Sequence, residues 1–165
     1  MPPIHKPQVD AAEALLAVAP LASRWIERLL AQHDPPLTVS QYLALRAVSR
    51  EQLTGAALAR RTGVSGPAVS QLLAGLAKAG LVDRHPSPED RRNQTLTLSN
   101  RGTAVYESAH ELLRAQVGSL LEQLPHPEAD ALSRALPPVE AALAGTTPPR
   151  RPPPPPRPPR GRRDD

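Results

Sequence analysis

Apolar residues recur at helical spacing along most of the chain and give way to strand-like alternation near position 94. From about 8 to 33, Val9, Ala12, Leu16, Ala19, Ile26 and Leu30 fall near one face of a long helix. A kink is expected at Pro20, because proline lacks the N–H that the carbonyl four residues back would receive. Thr38-Val39-Ser40-Gln41 has the form of a capping box opening a second helix that ends near Ser49. Helical patterns follow over 55–62 and 66–79. The runs 81–85 and 94–98, the second alternating as QTLTL, are bounded by Pro and Asn and predict a β-hairpin. From 100 to 123, Val105, Ala109, Leu112, Val117, Leu120 and Leu124 trace a stripe longer than a small core can cover. Pro127 suits the start of a last helix bearing Leu132, Leu136, Val139 and Leu143, which Pro137-Pro138 is expected to break.

Within 54–74, TGAALARRTGVSGPAVSQLLA, the residues Ala59, Gly63, Val69 and Leu72 stand at the spacings of two short helices crossing at a sharp turn. Ala59 is small at the crossing, and Gly63 supplies the positive φ that closes the first helix. Ser65 can cap the second helix, while Val69 and Leu72 anchor it. In isolation the pattern also describes an ordinary helical hairpin. A β-hairpin directly after the second helix favours a helix-turn-helix with a wing, and makes duplex DNA the leading ligand. The predicted fold class is mainly α with a small β-hairpin wing: a winged helix-turn-helix core plus long terminal helices.

Assigning Val69, Leu72, Leu73 and Leu76 to packing leaves Ser65, Pro67, Ser70, Gln71 and Ala74 facing a DNA groove. Of these, Gln71 has the reach and paired donor and acceptor for a bidentate contact, preferentially to adenine, and Ser70 can serve a base or a phosphate. So few long readers imply that groove shape carries much of the specificity. Arg60, Arg61, Lys78 and Arg84 are placed to hold phosphates, although each also suits a solvated surface. Arg91 and Arg92, at the hairpin tip beside Glu89 and Asp90, can enter a narrow minor groove, where negative potential is concentrated.

Charge refines this picture. The segment 145–165 is a Pro/Arg tail whose six Arg and two Asp carry the whole formal charge of +4, so the body 1–144 is neutral and the high pI says little about it. The tail has almost nothing to bury and is expected to be disordered, sampling polyproline II conformations. In the body, 54–102 holds seven Lys/Arg against three Asp/Glu, and 103–144 holds two against six. That is the polarity of a DNA-facing half and a half turned away from phosphate. There is no cysteine, which excludes disulfides and thiol-based sensing. Histidines at 5, 33, 85, 110 and 126 lack metal-ligand spacing, so neither a metal nor another cofactor is expected. Without a glycine-rich phosphate loop, a cysteine nucleophile or a histidine with an evident carboxylate partner, the chain does not read as an enzyme. No run approaches the roughly 18 apolar residues of a membrane span, and a cytoplasmic protein is expected.

Gly80-Leu81-Val82 at the end of the second helix, Asp90-Arg91-Arg92 in the wing, and Leu96-Thr97-Leu98-Ser99 leading through Gly102 into a long helix occur in one order with fixed gaps. Through them, residues 53–102 resemble the winged-helix core of the MarR (multiple antibiotic resistance regulator) family of bacterial repressors. The likeness is close over about 37–123 and looser over 8–36 and 124–144. It implies a homodimer in which 8–36 and 100–144 interlock, a winged helix-turn-helix over 37–99, and repression at a pseudo-palindromic operator on double-stranded DNA. It assigns Arg92 to the minor groove with Asp90 bracing it, Arg91 being the alternative inserter. It further implies a cleft between the dimer helices and the core for a small aromatic or anionic effector, onto which Trp25, Tyr42, Arg46, Tyr106 and His110 fall. Where some zinc-sensing relatives carry two histidines this chain has His110 and Arg114, and arginine is no ligand. The alternative function is non-specific coating of DNA, or a scaffold, using the winged helix and the basic tail.

Overall fold

The computed structural model describes residues 6–62, 65–86 and 94–145. The chain runs α1 (Lys6–Ala31), α2 (Val39–Arg50), β1 (Leu53–Thr54), α3 (Gly55–Thr62), α4 (Gly66–Lys78), β2 (Val82–Pro86), β3 (Gln94–Leu98), α5 (Asn100–Leu121) and α6 (His126–Gly145). The predicted helices and both hairpin strands are present, with ends displaced by one to a few residues. The expected class, mainly helical with a small winged sheet, is the observed one.

Side chains of local sequence set the helix starts. Thr38 Oγ1 accepts from the Gln41 N–H at 3.1 Å while the Gln41 side chain accepts from the Thr38 N–H at 2.8 Å, the reciprocal box predicted for α2. Thr54 Oγ1 accepts from the Ala57 N–H at 3.2 Å at the start of α3. Ser65 occupies the N-cap position of α4, yet its side chain makes no capping hydrogen bond, contrary to expectation. Pro67 in the first turn removes one of the donors that such a cap would satisfy. At the other end, Gly80 (φ +68) closes α4: its N–H reaches the Ala77 carbonyl at 2.9 Å and the Leu81 N–H reaches Leu76 at 3.0 Å. This is the paired terminus that a left-handed glycine permits. Gly63, expected to close α3, lies outside the described residues.

The sheet is antiparallel in the order β1-β3-β2, with Leu96 of β3 between Leu53 and Arg84. The two-residue β1 has too few positions to show an alternation, so the sequence pattern does not predict it. Leu30, Leu45, Leu58, Val69, Leu76 and Leu96, one or more from each of α1 to α4 and from β3, form the fully buried centre. Val69, Leu73 and Leu76 are the buried face of α4, whereas Leu72 is only half-buried at its margin.

The long helices behave differently. Of α1 only Leu30 is buried; Leu16 and Leu21 are 68% and 62% exposed. α5 sinks Gly102, Val105, Ala109 and Leu113 into the core but leaves Leu120 uncovered, as is Leu124 just beyond it. Over 126–143, α6 buries none of its side chains and exposes Leu136, Val139 and Leu143. It also runs unbroken through Pro137 and Pro138, which corrects the break expected there. The two prolines deprive the Ser133 and Arg134 carbonyls of their helical donors, but on an exposed helix water can take those donors' place. α1 likewise continues through Pro20. No helix among the described residues is long and apolar enough to cross a membrane.

Candidate nucleic-acid interface

The buried triad Val69, Leu73 and Leu76 fixes the rotation of α4 about its axis. Ser65, Pro67, Ser70, Gln71 and Ala74 are consequently all exposed, as the sequence pattern required. Gln71 is the longest of these five and is exposed, and its amide carries a donor and an acceptor together. The opposite end of the helix brings an exposed Lys78 in its last turn.

Arg60 and Arg61 close α3, and Arg84 lies on β2; all three are exposed. They differ in what they touch. The Arg61 guanidinium forms an ion pair with the carboxylate of Glu51, the residue that caps the end of α2, and both side chains are about half exposed. Sequence reasoning did not find Glu51, because ten residues and a change of element separate the partners. On β2, His85 Nε2 and Thr97 Oγ1 lie 3.0 Å apart across the hairpin. Asp90, Arg91 and Arg92 lie outside the described residues.

A second cluster sits where α2 meets α5. Tyr42, Tyr106 and His110 stack with centroids 5.5 to 6.4 Å apart, and the Tyr42 hydroxyl shares a 2.8 Å hydrogen bond with His110 Nδ1. Burial raises the Tyr42 pKa above its ordinary 10.0, and Tyr106 adds to the shift, while Arg46 and Arg50 oppose it. Four of the five proposed effector residues are thus neighbours. Trp25, half-buried on α1, makes no ring contact with them. Beside the stack is an open cavity of about 340 Å³ lined by Val48, Ser49, Thr97, Leu98, Thr103, Tyr106 and Glu107. His33 proves structural: Nδ1 meets the Pro35 carbonyl at 2.8 Å, and since that oxygen can only accept, Nδ1 carries the hydrogen. Nε2 meets Ser108 Oγ at 3.0 Å and ties the loop after α1 to α5. Among the described residues no group of histidines and carboxylates is placed to hold a metal ion.

Residues 36–93, from just before α2 to the residue preceding β3, match the sequence model of the MarR family. The chain is 31% identical over 130 residues to an uncharacterized HTH-type transcriptional regulator of Mycobacterium bovis, Mb0904, covering 77% of this chain and 91% of that protein. The chain belongs to the MarR family. As a MarR protein it is a winged-helix transcriptional regulator, and its relatives are named as regulators and repressors rather than enzymes. Its fold is similar to that of Rv1404 from Mycobacterium tuberculosis, with a TM-score of 0.72 and 29% identity over 90% of this chain and 100% of the other. The transcriptional repressor Rv2887 of the same organism is 33% identical over 101 residues, 61% of this chain and 73% of that one. Its structure in complex with p-aminosalicylic acid matches with a TM-score of 0.64 and 27% identity, over 78% of this chain and 96% of the other.

Proposed function

We propose that this MarR protein is a cytoplasmic, homodimeric, ligand-responsive repressor that binds a pseudo-palindromic operator on double-stranded DNA. The observation that carries the reading is the division of labour on α4: Val69, Leu73 and Leu76 are buried while Ser65, Pro67, Ser70 and Gln71 are exposed, with the polar Ser70 and Gln71 at the middle of the helix. That face, followed directly by an antiparallel hairpin, has the geometry of a recognition helix beside a wing. Gln71 reads an adenine; Ser65, Pro67 and Ser70 line the groove; Arg60, Lys78 and Arg84 hold phosphates. Arg61 does so on leaving Glu51. From the wing Arg92, braced by Asp90 and with Arg91 adjacent, enters the minor groove.

Dimerisation is supported by the uncovered leucines and valines of α1, α5 and α6, which no part of the described chain shields. The functional division follows: 8–36 and 100–144 pair, 37–99 read DNA, and 145–165 form a basic tail. A two-fold axis would set the recognition helices about 34 Å apart, one turn of DNA.

An effector is supported by the stack of Tyr42, Tyr106 and His110 with Arg46 near Tyr42, and by the adjoining cavity. An aromatic acid, the class found with Rv2887, suits aromatic rings beside an arginine. The decisive experiment combines light scattering with footprinting of the DNA around the protein's own start site. Dimers protecting a palindrome that an aromatic acid releases would support the whole reading. Equal affinity for every sequence would replace it by DNA coating.

A further inference from the structure

The recognition helix is welded to the long helix that follows the wing. Ser99, between β3 and α5, donates its hydroxyl hydrogen to the Gly80 carbonyl at 2.6 Å and accepts from the Gly102 N–H at 2.9 Å. Its own N–H reaches the Leu81 carbonyl at 3.2 Å. Its carbonyl receives both the N–H and the hydroxyl of Thr103, at 2.8 and 3.1 Å. Gly102 approaches the Leu81 carbonyl so closely that a methyl group there would overlap it. The Gly80-Leu81 turn that closes α4 and the first turn of α5 are therefore in backbone contact, with one hydroxyl spanning them.

We propose that Ser99 is a positioning residue: it fixes the angle between the recognition helix and α5, and so sets the half-site spacing that the dimer accepts. The proposal rests on the dimeric operator reading above. Its physical basis is a difference in kind between two attachments. Val69, Leu73 and Leu76 hold α4 by apolar packing, which is strong but does not define direction. The Ser99 bonds are directional, and a hydroxyl can give its hydrogen to the turn that closes α4 while its lone pair caps α5. If α5 carries the dimer contacts, this weld orients each recognition helix relative to the two-fold axis. Adding one base pair between half-sites shifts them by about 3.4 Å and turns them by about a tenth of a revolution, a mismatch that a rigid weld resists and a loose one absorbs.

Three substitutions of Ser99, to Asp, Thr and Ala, separate positioning from capping. Ser99→Asp keeps an N-cap acceptor for Gly102 but has no hydrogen for Gly80, so α5 stays capped and the backbone bond to Leu81 remains while the side-chain link to Gly80 is lost. Ser99→Thr retains both roles. Full-length protein is titrated at one salt concentration against the footprinted palindrome and against copies with the spacer shortened or lengthened by one base pair. Bulk DNA binding and thermal melting are followed in parallel. Wild type and Ser99→Thr should lose about ten-fold or more in affinity when the spacer changes. Ser99→Asp and Ser99→Ala should lose about three-fold or less, with the ratio between spacers and not the overall affinity as the readout. If both variants weaken on every spacer in parallel, Ser99 only supports the fold and the proposal is wrong. A wild type indifferent to spacer length would instead overturn the dimeric reading, and this proposal with it.

Discussion

The winged core and the terminal helices are built from the same residue types but reach opposite outcomes. Between Val39 and Leu98, Leu43 is the one large apolar side chain left exposed among the described residues. In α1 and α6 the exposed ones include Val9, Leu15, Leu16, Val18, Leu21, Leu136, Val139 and Leu143. A helix-period stripe therefore states that a face is to be buried without stating what buries it. In the core the cover is supplied by the chain itself: Leu58 of α3, Leu76 of α4 and Leu96 of β3 all reach one centre. In the terminal helices it has to come from elsewhere, and a second copy is the occupant proposed here. α5 belongs to both regions, since Val105 and Ala109 sit in the core while Leu120 lies beyond its reach.

The sharpest way to break the comparison is to charge the uncovered stripe. Leu120→Glu with Leu124→Glu should give a monomer by light scattering, and operator affinity should fall by about two orders of magnitude or more as the second half-site is lost. If these leucines are simply solvated, neither measurement will move. Within the core, Leu76→Ala removes a fully buried side chain from α4 and should cost about 2 to 5 kcal/mol in denaturant unfolding. A cost below that range would mean the core is looser than its burial indicates. The exposed face of α4 should answer differently from its buried one: Gln71→Ala should leave stability intact and relax discrimination at one adenine per half-site by about 1 to 3 kcal/mol. Titration against single-base operator mutants is the check, and unchanged discrimination would remove Gln71 from base reading.

The smallest effect concerns Tyr42, on the seam between the regions. Its pKa is raised in the fold, first by burial and then by Tyr106. The stabilisation from keeping it neutral is therefore complete below the unfolded value near 10.0 and is lost as pH rises through the higher folded value. Phenolate absorbance in wild type should extend beyond the ordinary tyrosine range, and Tyr42→Phe should remove that late portion. Identical late titration in the variant would show that Tyr42 is not the shifted group.

Most of the architecture was legible in the chain because its signals are local. Thr38 and Gln41 lie three residues apart, Gly80 closes the helix it follows, and the QTLTL alternation carries β3. Each depends on neighbours whose separation in sequence equals their separation along an element. The same holds for the exposed face of α4, since a helix that buries Val69, Leu73 and Leu76 must turn Ser70 and Gln71 outward. Local pattern was a poor guide where an outcome depended on solvent or on distant partners. Pro137-Pro138 did not break α6, because an exposed helix can leave two carbonyls to water. Ser65 kept the cap position without the cap bond, with Pro67 leaving it one donor fewer to accept from.

Helix periods, caps, the hairpin and the identity of the outward-facing residues on α4 were thus determined by the sequence itself, through contacts within a turn or two of chain. Only the tertiary structure decided which residues meet across elements: Glu51 with Arg61, Tyr42 with His110, His33 with Ser108, and Ser99 with Gly80. Such pairs join residues from 10 to 75 positions apart, and no periodicity encodes them. They form because packing of the apolar faces brings two backbones to one place, after which a hydroxyl, imidazole or carboxylate there satisfies the polar groups it meets.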